Sequence, residues 1–257
     1  MDDYRDTPIV LPAGSADNTA LDYHQVEIDL NGEGNSEPLV DLALYKVAAH
    51  SAYASDDPPY HKAFANALAT VFVRKSVAKK LVEVNDRLKK YGVEVFALDG
   101  FRPISLQTDI WNYFIKRGEE VLSEPKEEDL VQFAGTYCSD PRSFDPGNWR
   151  TWPVHNTGGA IDLTLRSLKD QKPLFMGSSF DQADEISATT YFENSSMQGE
   201  REIEARVNRR MLYHSMRQSG FVNYPHEWWH FDFGTQMWVK NGNKKPPAIY
   251  GRAELVK

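Results

Sequence analysis

Cysteine is almost absent from this chain, which has a single cysteine, Cys138, among its 257 residues. One cysteine cannot form an intramolecular disulfide, and it cannot build a metal site rich in thiolates. A chain of this length buries enough apolar surface to fold without either device. If the protein holds a metal, the ligands must therefore be histidine, aspartate or glutamate.

Long apolar runs and blocks of basic residues are also absent. No stretch approaches the roughly 20 apolar residues that span a bilayer, and the acidic start MDDYRDTPIVLPAG does not read as a signal peptide. Lys and Arg number 29 against 37 for Asp and Glu, a net charge of −8, which disfavours nucleic-acid binding. We expect a soluble, cytoplasmic protein that binds neither membrane nor nucleic acid, or a periplasmic or secreted one if a signal peptide precedes these residues.

The spacing of apolar residues predicts one α+β domain with a largely antiparallel sheet and flanking helices. We expect residues 1–257 to form this single domain, with an N-terminal arm over about 1–45. Val77, Leu81, Val84 and Leu88 recur at helical spacing, and Gly92 ends that helix. The other predicted elements are strands at 26–30, 93–98, 160–165, 221–224 and 228–233, a helix from Ser105 to Gly118, a long loop at 123–153, and a helix at 199–220 with Ile203, Val207 and Met211 inward and several arginines outward.

Two chemically active side chains flank a pair of glycines after the predicted loop. His155 precedes Gly158-Gly159, and Asp162 follows on the next strand. The glycines allow a sharp turn that brings the imidazole towards the carboxylate, and both groups are good zinc ligands. A buried carboxylate without a partner is costly, so Asp162 in an apolar strand needs a partner. The alternative is a loop histidine with an outward-facing aspartate.

The segment at 225–234 (PHEWWHFDFG) contains the pattern His-Glu-x-x-His, which binds zinc through both histidines when it lies on a helix. Its aromatic residues favour a strand instead. We therefore expect His230 on a strand, Glu227 at the turn before it, and His226 as a neighbour. Because an odd spacing places residues on opposite faces of an ideal strand, a bulge or turn near Trp228 is required. The alternative is an aromatic core strand with incidental polar residues.

Arg102 and Asp181 lie on two further predicted loops. Arg102 follows a strand within Asp99-Gly100-Phe101-Arg102-Pro103 and offers a permanent fork of donors to a carboxylate or an oxyanion. Its alternative role is a structural ion pair with Asp99. Asp181 ends a turn that begins at Met176, where a solvated aspartate is the ordinary interpretation.

His155, Asp162 and His230 together make a set of two histidines and one carboxylate. Three protein ligands leave a fourth position for water, which is the arrangement of catalytic zinc. Glu227 is the nearest spare carboxylate and is able to accept a proton from that water, while Arg102 is able to stabilise an oxyanion. This combination suits the hydrolysis of an amide.

At these residues the sequence resembles the zinc D,D-peptidases, and among them the D-alanyl-D-alanine dipeptidases of the vancomycin-resistance type. The resemblance runs from about residue 53 to residue 234, and the joint match of His-x6-Asp with Glu-x-x-His in that order is specific. It implies a compact α+β domain with a zinc-bearing antiparallel sheet. It also implies one zinc ion bound by His155, Asp162 and His230.

The same resemblance implies roles for three more residues. Glu227 corresponds to the general base and later proton donor, Arg102 to the arginine that binds the transition-state oxygen, and Asp181 to an acid that holds the free amino group. The implied substrate is D-Ala-D-Ala or a related small dipeptide. The alternatives are a zinc D,D-carboxypeptidase acting on longer peptidoglycan peptides and a non-catalytic, metal-stabilised peptide-binding domain.

The chain departs from the family pattern close to the expected pocket. Pro153 stands where these enzymes often carry a serine, so a side-chain hydrogen bond is lost there. Asn156-Thr157 replaces the Ser-Arg pair of the resistance enzymes. Both changes bear on which substrate is bound more than on the zinc chemistry.

Overall fold

The computed structural model describes residues 3–14, 22–182, 184–194 and 196–255. Helices and strands alternate along the chain, joined by short 3-10 turns. In chain order they are β1 (Leu39–Asp41), β2 (Ala48–Ala49), β3 (Phe72–Arg74), α1 (Lys75–Leu88), β4 (Val93–Asp99), α2 (Ile104–Val121), α3 (Glu127–Gly135), β5 (Ala160–Ser167), α4 (Glu200–Gln218), β6 (Val222–Asn223), β7 (His230–Asp232) and α5 (Gln236–Asn241).

The main sheet has five strands in the order β2-β4-β5-β7-β6, and β1 pairs with β3 in a separate ribbon. Only the contact of β2 with β4 is parallel, and the other neighbours in the sheet are antiparallel. The predicted α+β class with a largely antiparallel sheet is thus confirmed. β5 lies at the centre and is buried from Ala160 to Leu165, as expected of a strand covered on both faces.

The first long helix forms as its apolar spacing predicts. Val77, Leu81, Val84 and Leu88 are all fully buried along one face of α1. A short 3-10 turn follows, and Gly92 then adopts the left-handed conformation, with φ at 72°. Glycine enters this region without steric cost, so it ends the helix and starts β4.

The sequence prediction was wrong around α2 and the loop after it. The second helix begins at Ile104, directly after Pro103, and it continues past Gly118 to Val121. The segment predicted as a long loop contains α3, which packs against α2. A Cβ atom at Gly118 would lie 2.9 Å from Leu130 and 3.1 Å from Phe133, so this glycine permits the close approach of two helices and does not end one.

Two other predicted features also differ in the structure. The expected strand at 26–30 is reduced to a single bridge between Ile28 and Ala248. On α4, Ile203 is 38% exposed, whereas Arg209 is only 2% exposed. The predicted inward position of Ile203 is therefore wrong, whereas Arg201 and Arg217 are exposed, as predicted for several arginines of this helix. Arg209 is buried because it finds backbone partners that the helical pattern cannot show. Of the predicted arm, residues 1–2 and 15–21 lie outside the described part of the chain.

Arg209 ties α4 to the segment that carries Asp181. Its guanidinium donates hydrogen bonds to the carbonyl oxygens of Met176 at 2.7 Å, Ile186 at 2.8 Å and Ala188 at 2.7 Å. These three bonds fix both ends of the segment around Asp181.

None of the described helices is both long and apolar enough to cross a bilayer.

Replacing Arg209 should destabilise the fold strongly. Arg209→Met leaves three carbonyl oxygens without their donors, and we expect the free energy of unfolding to fall by about 3 kcal/mol. Urea denaturation monitored by circular dichroism measures this change. Arg117→Met is the control, because Arg117 is 48% exposed and pairs with Glu120 at the surface, where an ion pair contributes at most about 1 kcal/mol. Equal losses in the two variants would contradict this account.

Candidate active site

The strand register brings the predicted metal ligands together. Asp162 on β5 lies directly opposite His230 on β7 and opposite Asp99 on β4. His155 lies in the 3-10 turn Val154–Thr157. Gly158 then adopts a left-handed conformation with φ at 71°, which turns the chain from that segment into β5.

Three side chains form a compact, buried cluster of donor atoms. His155 Nε2 lies 3.2 Å from His230 Nδ1, His230 Nδ1 lies 3.0 Å from Asp162 Oδ1, and His155 Nε2 lies 3.4 Å from Asp162 Oδ2. Tetrahedral zinc with bonds of about 2.0–2.1 Å requires ligand atoms about 3.3 Å apart. The spacing of these three donors therefore fits a zinc ion.

The outer hydrogen bonds of the two histidines indicate which ring nitrogen is free for a metal. His155 Nδ1 lies 2.8 Å from the carbonyl oxygen of Gly100, and His230 Nε2 lies 3.0 Å from Asp232 Oδ2. Each outer nitrogen must carry a proton to donate to its acceptor, so each inner nitrogen of the neutral ring directs a lone pair towards Asp162. Three converging lone pairs require a cation between them, and the donor set fits zinc on this ground as well.

Charges around the cluster favour its ionised forms. Burial raises the pKa of Asp162, but the two imidazoles outweigh burial and hold this pKa below its usual range. Burial lowers the pKa of His230, but Asp232 and Asp162 raise it well above its usual value. The pocket thus stabilises positive charge beside Asp162.

Asp232 is a site residue that the sequence reasoning missed. It is 1% exposed, and it receives a hydrogen bond from the Thr235 hydroxyl at 2.6 Å while it contacts His230. The available signal was its spacing, because residues two apart on a strand share a face. Asp232 orients the His230 ring from behind.

Glu227 lies beside the cluster, at the turn that the sequence required near Trp228. Its Oε2 is 3.9 Å from His230 Nδ1, and the His230 backbone N–H donates to the Glu227 carbonyl at 3.3 Å. Burial raises the pKa of Glu227 to about 8, against a smaller lowering by His230. A dication at the donor cluster would act in the lowering direction as well.

Arg102 combines the two roles that the sequence left open. Its Nε donates to Asp99 at 2.8 Å, and Nη1 donates to Gln107 at 3.0 Å. Its Nη2 lies 3.6 Å from Asp162 Oδ2 and donates to the Tyr53 hydroxyl at 3.0 Å. The structural pair with Asp99 therefore holds the guanidinium fork at the donor cluster.

Asp181 is half-buried and hydrogen-bonded to two tyrosines, unlike the solvated loop aspartate of the ordinary interpretation. Its Oδ2 accepts hydrogen bonds from Tyr53 at 2.8 Å and from Tyr60 at 2.5 Å. Burial raises the pKa of Asp181 to about 6, although the tyrosines and Arg102 act to lower it. Tyr53 thus links Asp181 to Arg102, a connection that nothing in the sequence pattern indicated.

One cavity of about 690 Å³ is lined by all six site residues that the sequence predicts. Pro153 lies in its wall, whereas Asn156 and Thr157 turn away: the Asn156 amide donates to the Arg102 carbonyl at 3.2 Å, and the Thr157 hydroxyl to the Val154 carbonyl at 2.6 Å. Of the two departures from the family pattern, Pro153 therefore lines the cavity and Asn156-Thr157 does not. The lining includes Arg102, His155, Asp162, Asp181, Glu227 and His230, together with His226 and, from the N-terminal segment, Tyr23.

Residues 37–245 match the family model described as D-ala-D-ala dipeptidase. A D-alanyl-D-alanine dipeptidase of Synechocystis is 30% identical over 177 residues, which cover 63% of this chain and 70% of that protein. Another from Enterococcus faecalis is 32% identical over 157 residues, which cover 61% and 70%. Both comparisons extend over the greater part of each chain.

A solved structure of the LD-carboxypeptidase LdcB overlaps with 82% of this chain and 77% of its own, at 16% identity and a TM-score of 0.41. The family match covers the greater part of the chain and includes every predicted site residue. This chain therefore belongs to the D-ala-D-ala dipeptidase family of zinc metallopeptidases.

Proposed function

We propose that this protein hydrolyses the peptide bond of D-Ala-D-Ala or a closely related small dipeptide, with one zinc ion bound by His155, Asp162 and His230. The observation that carries the proposal is the buried donor cluster, whose three inner atoms lie 3.0–3.4 Å apart. The family membership and the names of the two relatives support the choice of substrate.

The three ligands leave one position of a tetrahedral site open. A zinc ion at such a site supplies an acidified water and polarises the scissile carbonyl. His155 and His230 contribute neutral nitrogens, because their outer nitrogens donate to Gly100 and Asp232. Asp162 contributes negative charge, so the donor set retains a net positive charge once the dication is bound.

Glu227 acts as the general base and then as the acid. Its carboxylate stands beside the cluster, takes a proton from the attacking water, and returns a proton to the nitrogen of the departing second residue. Expulsion of a free amine requires this second transfer, because an amide anion is a poor leaving group. The distance of 3.9 Å between the Glu227 carboxylate and His230 Nδ1 supports this role.

Arg102 stabilises the oxyanion that forms when water adds to the carbonyl. Its guanidinium is held by Asp99, Gln107 and Tyr53 before any substrate binds, so no reorganisation is needed as negative charge develops. Asp181 binds the ammonium group of the substrate. Tyr53 contacts both Arg102 and Asp181. It therefore fixes the distance between the group that binds the carbonyl end of the substrate's first residue and the group that binds its ammonium end.

Removal of zinc or of the base should abolish hydrolysis. We expect a chelator to stop D-Ala-D-Ala cleavage and added zinc to restore it, and we expect Glu227→Gln to retain zinc but lose about 10²–10⁴-fold in kcat. Elemental analysis and release of free D-alanine measure these effects. His226→Ala is the control for the ligand set and should keep its zinc. Full activity of Glu227→Gln would refute the proposed base, and a zinc-loaded but inactive wild-type protein would favour a non-catalytic binding domain.

A free amino group on the substrate should be essential. The proposed ammonium contact with Asp181 predicts that N-acetyl-D-Ala-D-Ala is cleaved at least about 100-fold less efficiently than D-Ala-D-Ala, because acetylation leaves the half-buried carboxylate of Asp181 without its cation. Comparison of kcat/KM for the two compounds gives the answer. Equal or better cleavage of the acetylated compound would identify a carboxypeptidase of longer peptides instead.

Loss of the carboxylate behind His230 should weaken zinc binding. We expect Asp232→Asn to reduce zinc affinity about 10–100-fold, because the neutral amide orients and polarises the imidazole less strongly. Competition with a chromogenic chelator measures this affinity independently of turnover. Asp140→Asn serves as control, since Asp140 lines the cavity but pairs with Arg142 and not with a cluster histidine. Unchanged affinity in Asp232→Asn would exclude this role.

A further inference from the structure

A second cavity of about 460 Å³ adjoins the active-site cavity. Six residues line both cavities: Thr136, Tyr137, Asp181, Tyr224, His226 and Glu227. We call the part of this boundary at Asp181 and Glu227 the junction. Beyond it the second cavity extends along two adjacent segments of the described chain, residues 184–191 and residues 224–229. Its wall there is formed by Gln182, Asp184, Glu185, Ala188, Tyr191 and Trp229.

The junction coincides with the expected position of the first residue of the substrate. In the proposed function, on which this inference rests, Asp181 binds the ammonium group and the donor cluster faces the scissile carbonyl. The α-carbon between those two groups then lies next to Asp181. A side chain on that carbon has direct access to the second cavity.

The combined space exceeds what a dialanine requires. Cavities of about 300–1,000 Å³ ordinarily enclose drug-sized ligands, and each of these two cavities falls in that range. A methyl side chain at the junction would leave the second cavity to water. Tyr191 and Trp229 offer large apolar surfaces to a longer side chain, and burial of such surface contributes roughly 25 cal/mol per Å².

The wall of the second cavity is fixed by hydrogen bonds on the side of residues 184–191. Arg209 donates to the carbonyl oxygens of Ile186 and Ala188. The backbone N–H of Trp228 donates to the Ser187 carbonyl at 3.0 Å, and that of Thr189 donates to the Pro225 carbonyl at 2.9 Å. These bonds hold the two segments that line the cavity against each other.

The charges of the wall restrict the kind of side chain that fits. Asp184 and Glu185 are exposed at the rim, and Asp181 and Glu227 lie at the inner end. Among the described residues, no lysine or arginine lines this cavity, and its one histidine, His226, shares the wall with four carboxylates, those of Asp181, Asp184, Glu185 and Glu227. An anionic side chain would meet carboxylates at both ends, and like charges at short range are repulsive.

We propose that the second cavity is a subsite for the side chain of the substrate's first residue, and that it accepts large uncharged side chains and rejects anionic ones. The substrate class is therefore wider than D-Ala-D-Ala. It includes D,D-dipeptides whose first residue is aromatic, long aliphatic or a long amide.

A substrate panel tests the size and the charge of the subsite separately. D-Phe-D-Ala should be cleaved with kcat/KM at least equal to that of D-Ala-D-Ala. D-Gln-D-Ala and D-Glu-D-Ala have nearly the same shape, and the first should be cleaved at least about tenfold more efficiently. Failure of the wild-type protein to cleave any of the four dipeptides would overturn the proposed function itself. Cleavage of D-Ala-D-Ala with rejection of D-Phe-D-Ala would overturn the subsite alone.

Two variants, Ala188→Phe and Glu185→Lys, test whether the side chain of the first residue lies in the second cavity. Ala188→Phe fills it and should lower kcat/KM for D-Phe-D-Ala at least about tenfold while D-Ala-D-Ala changes by less than about threefold. Ala43→Phe, at an exposed position on the 3-10 turn Leu42–Tyr45, is the matched control and should alter neither. Glu185→Lys changes an exposed side chain and leaves the packing intact; it should raise kcat/KM for D-Glu-D-Ala about threefold or more.

The variant Glu185→Lys keeps the test decisive if Ala188→Phe does not fold. An unchanged preference for D-Gln-D-Ala over D-Glu-D-Ala in Glu185→Lys would show that the side chain lies elsewhere. Equal losses for D-Phe-D-Ala and D-Ala-D-Ala in a folded Ala188→Phe protein would also overturn the proposal.

Discussion

The structure depends on the convergence of three lone-pair donors at one buried position. The register of β5 against β7 sets Asp162 opposite His230, and the turn at Gly158 returns His155 to the same place. Without a cation, such a convergence is unfavourable in a low-dielectric interior. The hydrogen bonds that the two rings donate to the Gly100 carbonyl and the Asp232 carboxylate fix the rings in the one arrangement that a metal ion stabilises. The site is thus preorganised by the sheet, and the metal completes it.

A second network joins the groups that would handle the two ends of the substrate's first residue. Tyr53 contacts Arg102 and Asp181 at once, so the proposed oxyanion donor and the proposed ammonium acceptor belong to one hydrogen-bonded unit. Arg209 secures the segment that carries Asp181 from the side of α4. A change at Tyr53 would therefore disturb both proposed roles, whereas a change at Arg209 would act through the segment of Asp181. Neither residue is one of the three donors of the cluster.

Local patterns predicted some elements well and failed on others for identifiable reasons. The apolar face of α1 and the strand β4 follow from the spacing of apolar residues within a short stretch of chain, and the structure contains both. The helix α3, which the sequence pattern predicted as part of a loop, packs closely on Gly118 of α2, and this contact lies outside the local pattern. The burial of Arg209 depends on carbonyl oxygens more than twenty residues away. Tertiary contacts of this kind override propensity and leave no periodic signal.

The sequence by itself determined which atoms are able to bind a metal, because one cysteine leaves only histidine and carboxylate donors, and the order His-x6-Asp followed by Glu-x-x-His determined the family. Only the tertiary structure decided which nitrogen of each ring faces inward, that Asp181 is hydrogen-bonded to two tyrosines, and that a second cavity opens beside it. The physical reason is that ligand identity is a property of single residues. Orientation, burial and cavity shape arise from contacts between residues far apart in the chain.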